Sequence, residues 1–328
     1  MATIRQRCDK WEVRIRRKGQ STVTKTFTTK RDAEKWAKSI EVDIDRGNYQ
    51  NTSLAEKTTF REIVERYMND VSPNMRSAKE DLIRLNAIKR HSLFDRFMTA
   101  ITPSMIAAYR DERLKSVSSG TVIRELAYIS SIINHARREW GINLLINPVA
   151  MVKKPPTPRG RNRILKPEEK VRLLNELEPI GKRSIWMKPL VEFALETAMR
   201  RGEILGLLWT NVNLKDRTAF LELTKNGDSR TVPLSSRAVQ ILQNLPRDSG
   251  SSVFPINHAS VSANFNRARK RANLEDFHFH DLRHTAITHL AKKLPNVLEL
   301  AAVSGHKELR MLKRYHHPNP VELAIKIG

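Results

Sequence analysis

Four short stretches of this 328-residue chain carry side chains able to do chemistry. Residues 197–205 set Arg200 and Arg201 beside Gly202 where two apolar helices should meet. A guanidinium is thereby placed where helix packing is expected, although a pair of ordinary surface arginines would read the same way. Lys225 falls in Thr224-Lys225-Asn226-Gly227, and Asn-Gly is a strong hairpin-turn signal. A lysine on a hairpin tip can reach a ligand and deliver a proton, or simply be a solvated turn residue. In His278-Phe279-His280-Asp281-Leu282-Arg283-His284, His280 and Arg283 lie three apart and share a helix face. The His280/His284 pair, with His278 and His289 nearby, also has a zinc-like spacing. Against zinc, Arg283 sits among the candidate ligands and no carboxylate completes a metalloprotease pattern. Finally, Ser304-Gly305-His306 is followed nine residues after His306 by Tyr315, which alone reads as packing more readily than as chemistry.

Taken together, the four stretches carry one pattern. Arg200, Lys225, His280-x-x-Arg283, Gly305-His306 and Tyr315 stand in the order and approximate spacing of the tyrosine recombinases, which the chain resembles over roughly residues 59–328. Glu203 falls where that family's Arg-x-x-Glu pattern has its acid, and Tyr315-x-His317 is similar to its ending. The wording of these motifs is similar to that of shufflon-type DNA invertases and related phage integrases. Ser304 departs from the family, where Leu commonly precedes Gly-His, with no chemical consequence legible in the sequence.

The resemblance implies a site-specific DNA recombinase, an integrase of a phage or other mobile element, with a shufflon-type invertase as the alternative. A DNA-binding regulator that has lost catalysis is a distant third, because all six catalytic positions are present. Tyr315 would attack a phosphodiester and form a 3′-phosphotyrosyl intermediate. Arg200 and Arg283 would bind the non-bridging oxygens as charge develops there. His280 would accept the phenolic proton, Lys225 would protonate the departing 5′ oxygen, and His306 would donate a hydrogen bond to the phosphate. Glu203 and His284 are supporting residues. The phosphotyrosine conserves the bond energy, so neither a cofactor nor a metal is expected. Two duplexes cut on two strands each imply a homotetramer on double-stranded DNA, with DNA-bending and excision proteins as possible accessories.

The elements that must position these residues are mainly α with small β-sheets, an α+β chain. Residues 11–16 alternate as a strand and 22–28 are rich in β-branched residues; residues 31–46 turn helical, with Ala33, Trp36, Ala37, Ile40 and Ile44 on one face. This module, residues 1–57, resembles the arm-binding domains of integrases, and Arg14 and Arg16 share a strand face suited to phosphates or to solvent. Residues 58–152 read as a four-helix core-binding domain. Its apolar stripes are Phe60, Ile63, Val64, Tyr67, then Leu82, Leu85, Ile88, and one helix opens at Thr102-Pro103. Residues 153–162 hold three prolines among Lys153, Lys154, Arg159 and Arg161, an extended basic linker that could follow a DNA backbone or merely tether. Residues 163–328 form the mixed catalytic domain, with strands at 218–223 and 230–234 and a short apolar tail at 321–327.

Charge supports a polyanionic partner. The chain carries 14 basic against 8 acidic residues over 1–58, 17 against 10 over 59–160, and 28 against 17 over 161–328, a net +24 in all. The excess is spread over every domain, as expected where each touches nucleic acid. Cys8 is the only cysteine, so no intrachain disulfide can form, which suits a reducing cytoplasm. No apolar run approaches the ~18 residues of a membrane helix and no signal peptide is evident, so a cytoplasmic protein of the bacterial nucleoid is expected.

Overall fold

A computed structural model describes residues 2–17, 22–47, 49, 51–75, 77–158, 160–222, 229–247, 250–315 and 320–328. Lys225, Arg159 and His317 lie outside these described residues. The chain divides into two compact units, residues 1–159 and 160–328. Both are mainly helical with one small antiparallel sheet each.

The first unit opens with β1 (Ala2–Arg7), β2 (Lys10–Ile15) and β3 (Val23–Phe27), ordered β1-β2-β3. Two strands are predicted there and three are found. The extra strand is joined through a two-residue turn, Cys8-Asp9, with both φ positive at 45° and 58°. That is the primed geometry suited to strand twist, but Cys-Asp lacks the glycine that signals it in a sequence. Helix α1 (Lys30–Asp45), capped by the Thr29 hydroxyl, lays Ala33 and Ala37 on Val13 and Ile15 to make a small core. The alternation that buries Val13 and Ile15 leaves Arg14 and Arg16 exposed.

After α2 (Ser53–Lys57), helices α3 (Phe60–Asp70), α4 (Ala78–Ile88), α5 (Pro103–Leu114) and α6 (Ser119–Glu139) bury a second core. A Thr59/Glu62 capping box starts α3, and Thr102 with Pro103 starts α5 where the sequence predicts it. Residues 153–158 form neither helix nor strand; Lys153 and Lys154 are exposed while Pro155 is buried. The Lys153 carbonyl accepts a hydrogen bond from Arg110 (2.7 Å).

The second unit is built on α8 (Met187–Thr197), which packs against α10 (Ser236–Gln243) and α12 (Phe279–Lys293). Around them lie α7 (Pro167–Asn175), α9 (Arg201–Leu205), α11 (His258–Arg271) and α13 (Val297–Ser304), and α14 (Pro320–Ile327) follows in the chain. The sheet runs β4-β5-β6, with β4 (Val212–Asn213) added to the two predicted strands, β5 (Thr218–Leu221) and β6 (Arg230–Pro233). Phe193, Phe254, Phe265, Phe277 and Leu282 fill the main core. A smaller cluster of Ala198, Ala286, Ile287, Leu300 and Leu312 packs against Tyr315. Among the described residues no helix is long and apolar enough to cross a membrane.

Candidate active site

The site forms where three chain breaks meet. Helix α8 ends at Ala198, a left-handed residue (φ 53°), so the chain turns sharply before α9. A non-glycine residue there costs about 1–2 kcal/mol. Its carbonyl accepts a hydrogen bond from Arg283 of α12. Arg200 stands at the N-cap of α9. Its backbone N–H donates to Glu203 (2.8 Å) and its guanidinium to the same carboxylate (2.7 Å). It also donates to the Gly305 carbonyl (3.4 Å). Arg283 is buried, 5% exposed, and its second amino group donates to the Ser304 carbonyl (2.6 Å). One buried arginine thus ties the end of α8 to the end of α13.

Arg230 was not among the residues singled out from the sequence, yet it closes this network. From β6 it donates to the other oxygen of Glu203 (2.7 Å) and to the Val303 carbonyl. Its Nε is buried without a hydrogen-bond partner among the described residues. A Cβ on Gly305 would lie 2.7 Å from that Nε, and Gly305 has φ 69°, so both space and backbone require glycine. Strand alternation carries the missed signal: Arg230 lies on the inward face with Val232, and a buried arginine needs a carboxylate.

The electrostatics are lopsided. Burial works to raise the Glu203 carboxyl, but Arg230 and Arg200 outweigh it and hold the group below its ordinary value. Burial, then the charge of Arg200, brings the Arg283 guanidinium down to about 10. Burial and the charges of Arg283, Arg200 and Arg230 hold His306 at about 4. Two arginines share one carboxylate and a third adds its charge nearby, a positive surplus in a partly dry place that favours an anion.

Ser304 acquires a role that the sequence does not reveal. Its hydroxyl donates to the Leu300 carbonyl (2.6 Å) and touches His306 Nδ1 at 2.7 Å. A hydroxyl has one proton; with that proton on Leu300, Nδ1 must carry the hydrogen of the second bond. Neutral His306 is therefore fixed as the Nδ1–H tautomer.

Tyr315 is half-buried, with Leu312 anchoring its segment in the smaller core and its amide donating to the Leu312 carbonyl (2.9 Å). Its hydroxyl is hydrogen-bonded to Nδ1 of His284, a different histidine from the predicted acceptor, His280. The two rings stack at 5.8 Å and 25°, and His284 meets His280 edge-on at 5.1 Å. Burial raises the Tyr315 phenol, with Arg314 and Arg283 opposing. Burial and the charges of His280 and Arg314 hold His284 at about 4.

His280 is exposed and shares with Arg200, Arg283 and His306 a cleft of about 370 Å³. A larger hollow of about 790 Å³ adjoins it at Arg200 and His280 and extends over Arg201, His258 and Asn266. Among the described residues no three His, Cys, Asp or Glu side chains converge as a metal site.

The Arg161 guanidinium is engaged with two carboxylates of its own unit. Its guanidinium is bonded to Asp276 (3.1 Å) and to Asp281 (3.0 Å), a buried residue that also caps α12 at the His278 amide (2.8 Å). The carbonyl of Arg161 and the side chain of Asn162 hold Arg314 (3.3 and 2.6 Å), whose guanidinium lies 5.8 Å from the Tyr315 ring. Arg161 thus organises the surroundings of Tyr315 from within its own unit.

Residues 163–322 match the phage integrase family. The shufflon-specific DNA recombinase of Escherichia coli is 39% identical over 280 residues, covering 83% of this chain and 72% of that protein. A putative integrase/recombinase of Haemophilus influenzae is 35% identical over 300 residues, covering 88% and 96%. Among solved structures, a lambda integrase tetramer bound to a Holliday junction superposes with TM-score 0.67 at 20% identity, covering 94% of this chain and 93% of that one.

Proposed function

This chain belongs to the phage integrase family, and from that premise we propose that it is a site-specific tyrosine recombinase in which Tyr315 cuts and rejoins DNA. One observation carries the reading. Arg200, Arg283 and His306 line a single cleft under a positive surplus, within reach of the field at a tyrosine whose hydroxyl is already hydrogen-bonded to a neutral histidine.

In this reading the scissile phosphate enters the cleft as the anion the arginines lack. Arg200 and Arg283 face its non-bridging oxygens, and their positions are fixed beforehand by Glu203, Ala198 and Ser304, so little reorganisation accompanies the reaction. His306, with its hydrogen fixed on Nδ1, donates from Nε2 only as an imidazolium, which the arriving phosphate favours. Tyr315 attacks phosphorus, the 5′ oxygen departs with a proton we assign to Lys225, and the 3′-phosphotyrosine keeps the bond energy for ligation. No cofactor or metal takes part. The partner is double-stranded DNA, the working state a homotetramer, and the place the bacterial nucleoid. We assign residues 1–57 to arm sites, 58–152 to core-site binding, 153–162 to a basic linker and 163–328 to catalysis. Arg14, Arg16, Lys153, Lys154, Arg159 and Arg161 serve as backbone contacts, with accessory bending and excision proteins on the same DNA.

The test is a nicked substrate that traps the covalent complex, read on a denaturing gel. Tyr315→Phe should bind DNA as the unaltered chain does and form no covalent band; a persistent band would remove Tyr315 from the role. The identity to the shufflon recombinase favours a second reading, inversion between repeats. A chain starting at Thr58 separates the two. An integrase should keep cleavage at the crossover core but lose distal footprints and most recombination of extended sites. An invertase without arm sites should recombine minimal and extended sites alike.

A further inference from the structure

We infer that His284 is a catalytic residue of this site: its Nδ1 takes the Tyr315 proton as the hydroxyl attacks phosphorus. The inference rests on Tyr315 being the nucleophile. The hydroxyl is hydrogen-bonded to His284, and the stacked rings hold that geometry from the side. Both partners are anchored. His284 follows buried Arg283 and precedes buried Thr285, Ala286 and Ile287 on α12, while Leu312 is fully buried three residues before Tyr315. His280 stands one turn earlier, exposed at the cleft it shares with Arg200 and Arg283. The two histidines therefore divide the work: His280 faces the phosphate cleft and His284 the nucleophile.

The charges around His284 suit an acceptor. On α12 it faces His280, Asp281 and Arg283; across from it are Arg314 and Tyr315, and its field reaches His306. Burial, His280 and Arg314 keep it neutral at physiological pH, so a lone pair is available. With the phenol raised and the imidazole lowered, the proton stays on Tyr315 in the resting protein. It moves only as the Oη–P bond forms, when the phosphate's negative charge also makes the imidazole more basic. In that step the Tyr315 O–H bond breaks and an Nδ1–H bond forms, Oη–P forms and P–O5′ breaks, and the 5′ oxygen takes its proton from a separate donor. On ligation the 5′ hydroxyl returns its proton to that donor as it displaces Tyr315, which recovers its proton from His284. No net proton is consumed.

The experiment measures single-turnover covalent-complex formation by the full chain on nicked DNA across pH, for His284→Ala, His284→Asn and His280→Ala. Each uses a normal phosphodiester and one with sulfur at the bridging 5′ position, with DNA binding as the check of folding. His284→Ala should cleave about 10²–10³-fold more slowly at neutral pH, in the range of a lost general base. That defect should shrink as pH rises, persist on the sulfur substrate, and be partly rescued by added imidazole. His284→Asn places an amide oxygen near the position of Nδ1; it can hold the hydroxyl but not accept its proton, and should stay slow. A pH-independent loss in both variants, an Asn variant at the unaltered rate, or a defect found only in His280→Ala would overturn the proposal. Failure of the underlying reading shows separately, as a covalent band from Tyr315→Phe.

Discussion

Each unit of the protein holds a tyrosine beside a charged network, and the two networks are balanced differently. In the first unit Tyr109 is fully buried and donates to Glu125 (2.8 Å), and Arg113 grips the same carboxylate with two bonds (2.7 and 3.0 Å). One negative charge meets one positive charge and every donor named is used, so the assembly is complete without a ligand. In the second unit one carboxylate, Glu203, serves Arg200 and Arg230, Arg283 adds a third positive charge, and Tyr315 is paired with a neutral histidine. A cluster that neutralises itself is structure; one that retains a surplus of charge awaits a partner. Tyrosine burial alone would have ranked them in the opposite order.

Exchanging the two losses would break the comparison most directly. Arg113→Ala strands Glu125, which is 7% exposed, and should lower stability by roughly 2–4 kcal/mol while leaving covalent-complex formation by the folded fraction unchanged. Arg200→Ala removes one of three like charges, so stability should move by no more than about 1 kcal/mol, yet cleavage should fall about 10²–10³-fold. Denaturant melts and nicked-substrate rates on both variants decide it. A stable, cleavage-dead Arg113 variant would mean that the networks are not distinct in kind.

The next effect is on pH. His284 and His306 titrate near 4 in the folded unit against about 6.5 when unfolded. Between those values the unfolded chain binds more protons, so stability should fall as pH drops from about 6.5 to 4 and be unaffected by these groups above it. After allowance for their partial exposure, a combined loss of about 1–3 kcal/mol is expected, a few degrees in melting temperature. His284→Asn should flatten the dependence of the full chain.

The smallest effect sharpens the site itself. Ser304→Ala frees His306 to place its hydrogen on either nitrogen and leaves the Leu300 carbonyl, so cleavage should change by about 3–10-fold, the worth of one hydrogen bond. Its signature is a shifted pH profile for cleavage with unchanged DNA binding, and an unmoved profile would deny Ser304 control of the tautomer.

Much of this was legible in the amino-acid order because it depends on neighbours along the chain. Thr102-Pro103 starts α5, the stripe from Phe60 to Tyr67 is the buried face of α3, and Arg200, His280, Arg283, His306 and Tyr315 stand in the order that carries the resemblance to the tyrosine recombinases. What the order could not supply depends on distance through space. β1 is joined to β2 by a turn whose φ values no local signal encodes, Arg230 finds Glu203 27 residues away, and Arg161 reaches Asp281 across 120. The choice between His280 and His284 as partner of Tyr315 is of the same kind. One helical turn separates the two rings, and it is the tertiary packing of the Leu312 segment in one cluster with Ala286 and Ile287 of α12 that sets Tyr315 beside His284. Local propensity is set by covalent neighbours, whereas the polarity and protonation of a site are set by whatever the fold brings within a few ångströms.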